Sequence, residues 1–232
     1  MRFCRCEMLI GADALENLKN SSVAVFGVGG VGGYVVEALT RSGVGRIAII
    51  DKDVVDESNI NRQIVALTST IGKNKVDVMK QRMLDINPGV KVEAHCEFYL
   101  PDNADFIELG SFDYVVDAID NVTAKIELIK RCKQADVPII SAMGAGNKLD
   151  PTRIEIADIS KTSVCPLAKV IRRKLADLGI EGVTVAYTRE IPANASGGRT
   201  PASMMPVPAA MGLTMASKVL RDLSGMRIKS KS

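Results

Sequence analysis

Apolar residues follow two different periods along the first 146 positions of the chain. Short runs rich in β-branched residues predict strands in "VAVFG", "RIAIID", "VKVEAHC", "DYVVDAID" and "PIISAMGAG". Apolar residues spaced three and four apart predict helices in "EMLIGADALENLKNS", "VGGYVVEALTRSG", "KNKVDVMKQRMLDIN" and "NVTAKIELIKRCKQAD". Because strands alternate with helices, the pattern predicts an α/β fold with a doubly wound, mostly parallel sheet.

The regular alternation of predicted strands and helices changes after Gly146. Strands are predicted in "TRIEIADI" and "VTVAYTRE", with a helix between them in "CPLAKVIRRKLADLG", and the sheet can turn antiparallel here. Residues 189–208 contain four prolines and two adjacent glycines, so they are predicted to form a loop. This loop, which carries Arg189 and Arg199, is long enough to close over a substrate. A final helix is predicted in "AAMGLTMASKVLRDL".

Length and composition indicate one intracellular domain. A chain of 232 residues with 47% hydrophobic content can bury a full core. Its five cysteines form no Cys-x-x-Cys pair, which argues against a secreted disulfide framework and favours the cytoplasm. No apolar run reaches the roughly 18 residues of a membrane span, and charges near the N-terminus argue against a signal peptide. We therefore expect a cytoplasmic protein with no membrane contact.

A glycine-rich stretch provides the strongest chemical signal. Gly27, Gly29 and Gly32 form G-x-G-x-x-G between a predicted strand and a predicted helix, which lets the backbone approach a phosphate. Asp51 ends the next predicted strand, 19 residues after Gly32, at about the spacing expected of an acid that binds ribose hydroxyls. The pattern predicts a Rossmann-like nucleotide site; the alternative is a tight turn without a ligand.

The stretch "DESNINRQ" at 56–63 is unusual for a dehydrogenase. Hydride transfer has no use for several phosphate-directed cations, whereas nucleotidyl transfer needs them around an α-phosphate whose charge grows during attack. Arg62 and Lys75 would supply that charge. Taken alone, Arg62 could be an exposed loop residue and Lys75 the solvated side of a helix start.

Four motifs, in order, resemble the adenylation domains of the ThiF/MoeB/HesA superfamily: "GVGGVG", "IIDKDVVDESNINRQ", "IGKNKVDVMKQRMLDINP" and "VVDAIDN". The resemblance implies that ATP, not NAD, lies in the cleft. It implies that Asp51 holds the ribose, that Asn59 and Arg62 face the phosphates, that Lys75 neutralises the α-phosphate region and that Asp120 carries Mg²⁺. The full set of implied nucleotide contacts is Gly27, Gly29, Gly30, Gly32, Asp51, Asp53, Asn59, Arg62, Gln63, Lys75, Asp120 and Asn121.

Other acids near these motifs have simpler interpretations. Asp53 and Asp56 favour turn roles over ligand roles in spite of their position beside the motif. Asp117 could be a second acid on the metal side, although a capping or structural role is favoured. Asp120 follows a predicted strand end, at the sheet edge where open α/β folds bind ligands. Mg²⁺ suits such a place because it takes few protein carboxylates and completes its shell with phosphate oxygens and water.

The resemblance also implies how the chain is organised. It predicts a single ThiF-type adenylation domain over 1–232, with an N-terminal arm and helix at 1–20, a nucleotide-binding core at 21–160 and a substrate-side region at 161–232. Arg5 resembles an arginine that enters the partner's ATP site, so a homodimer with Arg5 acting in trans is expected. The catalytic set is then Arg5, Arg62, Lys75 and Asp120. The alternative for Arg5 is a frayed basic terminus.

The segment "SAMGAGNKLDPTRIEIADISKTSVCPLAKVIRRKL" resembles one branch of the superfamily, the tRNA threonylcarbamoyladenosine dehydratases. That resemblance implies adenylation of a carboxylate on a modified adenosine of tRNA, followed by ring closure with loss of AMP. It also implies possible support from sulfur-transfer proteins. The alternative is an adenylyltransferase that activates the C-terminus of a ubiquitin-like sulfur carrier. Such enzymes often add cysteine pairs that this chain lacks, and Cys165 and His95 favour structural roles.

A tRNA substrate should leave a basic surface. Lys169, Arg172 and Arg173 share one face of a predicted helix, with Lys174 adjacent, and could contact phosphates. The alternative is an ordinary solvated helix face. The C-terminal end is also basic, with Lys218, Arg221, Arg227, Lys229 and Lys231.

Overall fold

Seven strands form one sheet, which is mostly parallel. The fold comes from a computed structural model that describes residues 2–193 and 201–226. The strand order is β3-β2-β1-β4-β5-β7-β6, and among the described pairs of neighbouring strands in this sheet only β6–β7 is antiparallel. The strands are β1 Ser22–Phe26, β2 Arg46–Ile50, β3 Lys91–His95, β4 Tyr114–Asp117, β5 Ile139–Ala142, β6 Ile154–Asp158 and β7 Thr184–Thr188. The predicted α/β class, with a sheet that turns antiparallel late in the chain, is confirmed.

Helices cover both faces of the sheet. They are α1 Cys4–Ile10, α2 Ala12–Asn20, α3 Gly32–Arg41, α4 Lys75–Ile86, α5 Val122–Gln134, α6 Pro166–Asp177 and α7 Pro206–Ser224. One buried cluster joins the sheet to α3, α4 and α7, and a second joins its other face to α5 and α6. No helix among the described residues is long and apolar enough to cross a bilayer.

Local chemistry explains where several helices begin and end. The single helix predicted near the N-terminus is wrong in one respect, because it breaks at Gly11, whose φ of 87° takes the chain out of the helical conformation. Asn121 caps α5 by accepting the N–H of Ala124 at 3.0 Å. Pro166 begins α6, where its missing N–H costs no hydrogen bond.

The last part of the chain extends the sheet. β7 lies between β5 and β6, parallel to β5, so the sheet continues beyond residue 160, the expected limit of the nucleotide-binding core. α7 then packs across α3. It begins at Pro206, inside the predicted loop, of which residues 194–200, including Arg199, lie outside the described residues. The basic residues Arg227, Lys229 and Lys231 also lie outside them.

Candidate functional site

The glycine turn follows β1 and packs tightly against the turn after β4. Gly27 has a φ of 90°, and a Cβ placed there would lie 2.6 Å from the carbonyl oxygen of Ala118. A Cβ on Gly32 would collide with the carbonyl oxygen of Gly27. Glycine is therefore required at both positions, since the first needs a left-handed backbone and both leave no room for a side chain. Between these two positions, Gly29 and Gly30 are partly exposed, so their backbone can approach a ligand at the carboxyl edge of the sheet.

Asp51 connects the glycine turn to the end of β2. Its Oδ2 accepts the N–H of Val28 at 2.7 Å, and its Oδ1 accepts the N–H of Asp53 at 2.9 Å. The backbone N–H of Asp51 donates to the His95 carbonyl at 3.1 Å, so the end of β3 also holds it. These contacts place the carboxylate next to the glycine turn, where the sequence predicts it. Its contact with ribose stays a prediction.

Arg62 and Gln63 border the other side of the turn. The Cγ of Arg62 is 3.5 Å from where a Cβ on Gly30 would lie, and the Nε2 of Gln63 is 3.8 Å from the same point on Gly29. Arg62 is partly buried, and its Nη1 donates to the Ser58 carbonyl at 2.8 Å. Arg62 is therefore only partly exposed, and its contact with phosphates stays a prediction. Gln63 Oε1 is buried without a partner among the described residues, so this amide can still bind a ligand.

Asn59 is buried, but much of its side chain serves the local turn. Its Oδ1 accepts the N–H of Asp56 at 3.2 Å, while the Asp56 carboxylate accepts the N–H of Ser58 at 2.8 Å. Asp56 thus has the turn role that the sequence predicts. Contact between Asn59 and phosphates stays a prediction, and it would have to use the amide nitrogen.

Lys75 begins α4 and is buried, so the alternative of a solvated helix start is wrong. Its Nζ donates to Asp53 Oδ2 at 3.0 Å, and its backbone N–H donates to the Asp53 carbonyl, also at 3.0 Å. Lys52 binds the other oxygen of the same carboxylate at 2.9 Å. Burial by itself would raise the pKa of Asp53, but the hydrogen bonds from Lys52 and Lys75 outweigh it and hold the pKa below its ordinary value.

Lys52 shows that several carboxylates meet at this edge. Its pKa is raised, first by the hydrogen bond to Asp53 and further by the charges of Asp51 and Asp120. Its ammonium group also lies 5.2 Å from the centre of the Phe98 ring. The Lys52 ammonium group therefore interacts with the charges of both Asp51 and Asp120.

Asp120 is exposed and follows β4, whereas Asp117, the last residue of β4, is completely buried. Asp117 Oδ2 binds Lys125 Nζ at 2.7 Å and accepts the Ser141 hydroxyl at 2.6 Å, and Oδ1 accepts the Ile119 N–H at 3.1 Å. Both oxygens of this carboxylate already accept hydrogen bonds, which leaves no room for a metal ion. Asp117 is therefore structural, the role that the sequence favours. Sequence reasoning missed Lys125, because a lysine in a helix usually faces solvent.

A second contact missed from the sequence joins the turn after β5 to the chain after β7. Lys148 is buried and donates to the Glu190 carbonyl, while the Glu190 carboxylate accepts the backbone N–H groups of residues 149 and 150. Burial lowers the pKa of Lys148. Asn147 binds both backbone groups of Ala202. The described ends of the predicted loop thus pack on this edge of the sheet.

Three other predicted residues lie apart from this constellation. Arg5 is exposed in α1. His95 ends β3 with its ring 5.6 Å from that of Phe106. Cys165 is buried at the start of α6. Two cavities, of about 270 and 370 Å³, lie elsewhere: one at the amino-terminal edge beside Tyr114 and one beside the N-terminal arm. Neither is part of the candidate site.

The donors at this edge suit a metal held jointly with a phosphate ligand. No group of three His, Cys, Asp or Glu side chains in the described parts of the chain could hold a metal alone. Mg²⁺ commonly binds through one or two carboxylates and takes its other ligands from phosphates and water. The exposed Asp120 carboxylate fits that requirement.

Comparison with known proteins gives a consistent result. The chain matches the ThiF family over residues 3–232. The tRNA threonylcarbamoyladenosine dehydratase of Bacillus subtilis is 48% identical over 252 residues, which cover 99% of each chain. The Escherichia coli protein of that name is 41% identical over 181 residues, which cover 77% of this chain and 67% of the relative. The crystal structure of the E. coli dehydratase in complex with ATP matches with a TM-score of 0.91 at 35% identity, covering 97% of this chain and 94% of that one.

Proposed function

Since this chain belongs to the ThiF family, with a full-length relative that is a tRNA threonylcarbamoyladenosine dehydratase, we propose that it is an ATP-dependent enzyme of that type. It adenylates the carboxylate of tRNA threonylcarbamoyladenosine and cyclises the product, with release of AMP and pyrophosphate. We place it in the cytoplasm with its tRNA substrate.

One observation carries the proposal: a glycine turn that excludes side chains is bordered by Arg62 on one side, and Lys75 lies at the same sheet edge. A backbone open to phosphate, with cations nearby, is what nucleotidyl transfer needs. The turn after β1, the end of β2 and the start of α4 bring these groups together. Hydride transfer, by contrast, develops no charge on a phosphate that such cations would stabilise.

The chemistry has two steps. The substrate carboxylate attacks the α-phosphorus of ATP, the bond to pyrophosphate breaks, and an acyl adenylate forms. The carbamoyl oxygen then attacks the acyl carbon, AMP leaves with the electron pair of the broken C–O bond, and the carbamoyl group loses an N–H proton to solvent. Arg62 and Lys75 stabilise the charge that develops on the phosphate oxygens in the first step. Because the ring closes within one molecule, no protein nucleophile is required.

The remaining parts of the proposal concern the metal and the assembly. Asp120 would hold Mg²⁺, which would neutralise part of the phosphate charge. Arg5, exposed on α1, would reach the ATP site of a second copy in a homodimer. Support from sulfur-transfer proteins stays a prediction from the resemblance.

The alternative substrate is the C-terminus of a ubiquitin-like sulfur carrier. It is disfavoured because the five cysteines form no Cys-x-x-Cys pair and Cys165, the downstream thiol, is only 3% exposed.

The test is to incubate the protein with ATP, Mg²⁺ and either modified tRNA or a carrier protein, and to measure AMP and pyrophosphate. We expect stimulation by tRNA, with a cyclised nucleoside in the digested product. Stimulation by the carrier alone would overturn the proposal. Arg62→Ala serves as the inactive control, because it removes a phosphate-directed charge without touching the buried core.

A further inference from the structure

Three positively charged side chains on the solvent side of α6 form no ion pair with any residue that the structure describes. We call Lys169, Arg173 and Lys174 the α6 ridge; all three are exposed, and in the described residues none takes part in an ion pair or side-chain hydrogen bond. On the neighbouring helix α5, by contrast, Lys130 and Arg131 both pair with Glu127. Unpaired charges held close together repel one another, so the ridge is suited to an anionic partner.

Arg172, which the sequence places on the same face, is only partly exposed and is already hydrogen-bonded, so it is not counted in the ridge. Its Nη1 donates to the carbonyl of Thr162 at 2.9 Å and to the Thr162 hydroxyl at 2.7 Å. The guanidinium therefore fastens α6 to the turn before it. Asp177 lies four residues after Arg173 and three after Lys174 on the same helix, but in the described residues it forms no ion pair with either.

The ridge begins beside the candidate site. The Sγ of Cys165, which precedes α6, is 3.4 Å from where a Cβ on Gly144 would lie, and Gly144 follows the carboxyl end of β5. Lys169 is therefore in the turn of α6 nearest that edge, and Arg173 lies one helical turn, about 6 Å, further away. A chain of phosphates that follows the ridge would lead toward the carboxyl edge of the sheet.

The ridge is also held in a fixed position. The opposite side of α6 is buried against the sheet through Ala168, Ile171 and Leu175, each at most 1% exposed. A helix anchored in this way presents its charges at constant spacing, so little conformational freedom of the backbone is lost on binding.

From the unpaired charge, its position and its rigidity, we infer that the α6 ridge binds the sugar-phosphate backbone of tRNA. The inference rests on the proposed function, which requires a nucleoside of that tRNA to reach the carboxyl edge of the sheet. The net charge of the whole chain is only +3, so attraction of RNA has to come from a local cluster of this kind. Phosphate contacts would set orientation, not base identity.

The experiment compares two double variants that each remove two positive charges. Lys169→Gln with Arg173→Gln removes two of the three ridge charges, including Lys169, the one nearest the candidate site. Lys80→Gln with Lys91→Gln is the matched control, because both lysines are exposed and lie on α4 and β3. tRNA binding is measured from 0.05 to 0.3 M salt, and ATP binding is measured separately by calorimetry.

We expect the ridge variant to raise the Kd for tRNA on the order of tenfold and to lower the salt slope by about two, with the Kd for ATP unchanged. The control should bind tRNA like the wild type. Equal effects of both variants, or no effect of either, would overturn the inference. If the wild type binds tRNA in a salt-dependent way but releases no AMP with it, the proposed function fails while the ridge is still tested.

Discussion

At the scale of single residues, Asp53 has an unexpected importance for the candidate site. It binds Lys75 through both its carboxylate and its carbonyl, and its N–H binds Asp51. Asp53 thereby fixes the distance between Asp51, which is predicted to bind the ribose, and Lys75, which is predicted to bind phosphate. Asp53 thus positions Lys75 beside Asp51, in agreement with its expected turn role, and its contact with the nucleotide stays a prediction.

Two substitutions distinguish the effect of the Lys75 charge on the rate from the effect of its position. Lys75→Met should lower the rate of adenylation about 10²-fold to 10³-fold, because it removes a charge that stabilises the transition state. Asp53→Asn keeps the Lys75 charge but weakens its anchor, so the expected loss is smaller, on the order of tenfold. Single-turnover release of pyrophosphate measures both.

The control for this pair is Lys80→Met, which removes an exposed lysine from the same helix. It should leave the rate unchanged. An Asp53→Asn enzyme that was fully as active as the wild type would contradict the positioning role.

The buried pair of Asp117 and Lys125 leads to a prediction about stability. Both side chains are 0% exposed, and each uses several hydrogen bonds. Lys125→Met should lower the free energy of unfolding by about 3–5 kcal/mol, because it leaves an unpaired charge in the core. Combining it with Asp117→Asn should recover most of that loss, since no buried charge then remains. Urea unfolding measures the three variants; a double variant no more stable than the single one would contradict this account.

At the scale of elements, the turn from β1 into α3 depends on close backbone approach. Gly27→Ala would meet two penalties, a left-handed φ and a collision with the Ala118 carbonyl. Gly72 has a similar φ of 82° but nothing within 4 Å of an added Cβ, so Gly72→Ala meets the first penalty alone.

We therefore expect Gly72→Ala to cost about 1–2 kcal/mol of stability and to leave ATP affinity intact. Gly27→Ala should cost more and should weaken ATP binding strongly, because the two turns at the carboxyl edge must separate. Thermal unfolding and calorimetric titration with ATP distinguish the two. Equal effects on ATP affinity would show that the close packing of the turns is unimportant for binding.

At the scale of the whole molecule, the predicted action of Arg5 in trans can be tested by mixing two inactive variants. A heterodimer of Arg5→Ala and Arg62→Ala chains would contain one site with both arginines intact. Random mixing in equal amounts makes half of the dimers mixed, with one complete site in each, so recovery to about a quarter of the wild-type rate is expected. AMP release after mixing and re-equilibration measures it. Activity that stayed at the level of the separate variants would contradict a shared site.

Much of the fold was predictable because each element carries its own local pattern. Apolar runs bounded by Gly or Asp predicted all seven strands, and helical spacing predicted α3 to α7 close to their observed bounds. The break at Gly11 was missed, because a glycine within a helical pattern does not by itself reveal its φ. The insertion of β7 between β5 and β6 was also missed, since strand order depends on long-range packing.

For the candidate site, the sequence by itself determined the groups that can do chemistry: the glycines that leave backbone exposed, the acid 19 residues later, and the cations of the two following motifs. These follow from residue type and spacing along the chain. The tertiary structure alone decided that Lys75 is buried against Asp53, that Asp117 pairs with Lys125, and that Arg172 binds Thr162. Burial and hydrogen-bond partners come from contacts between distant segments, and no local pattern encodes them.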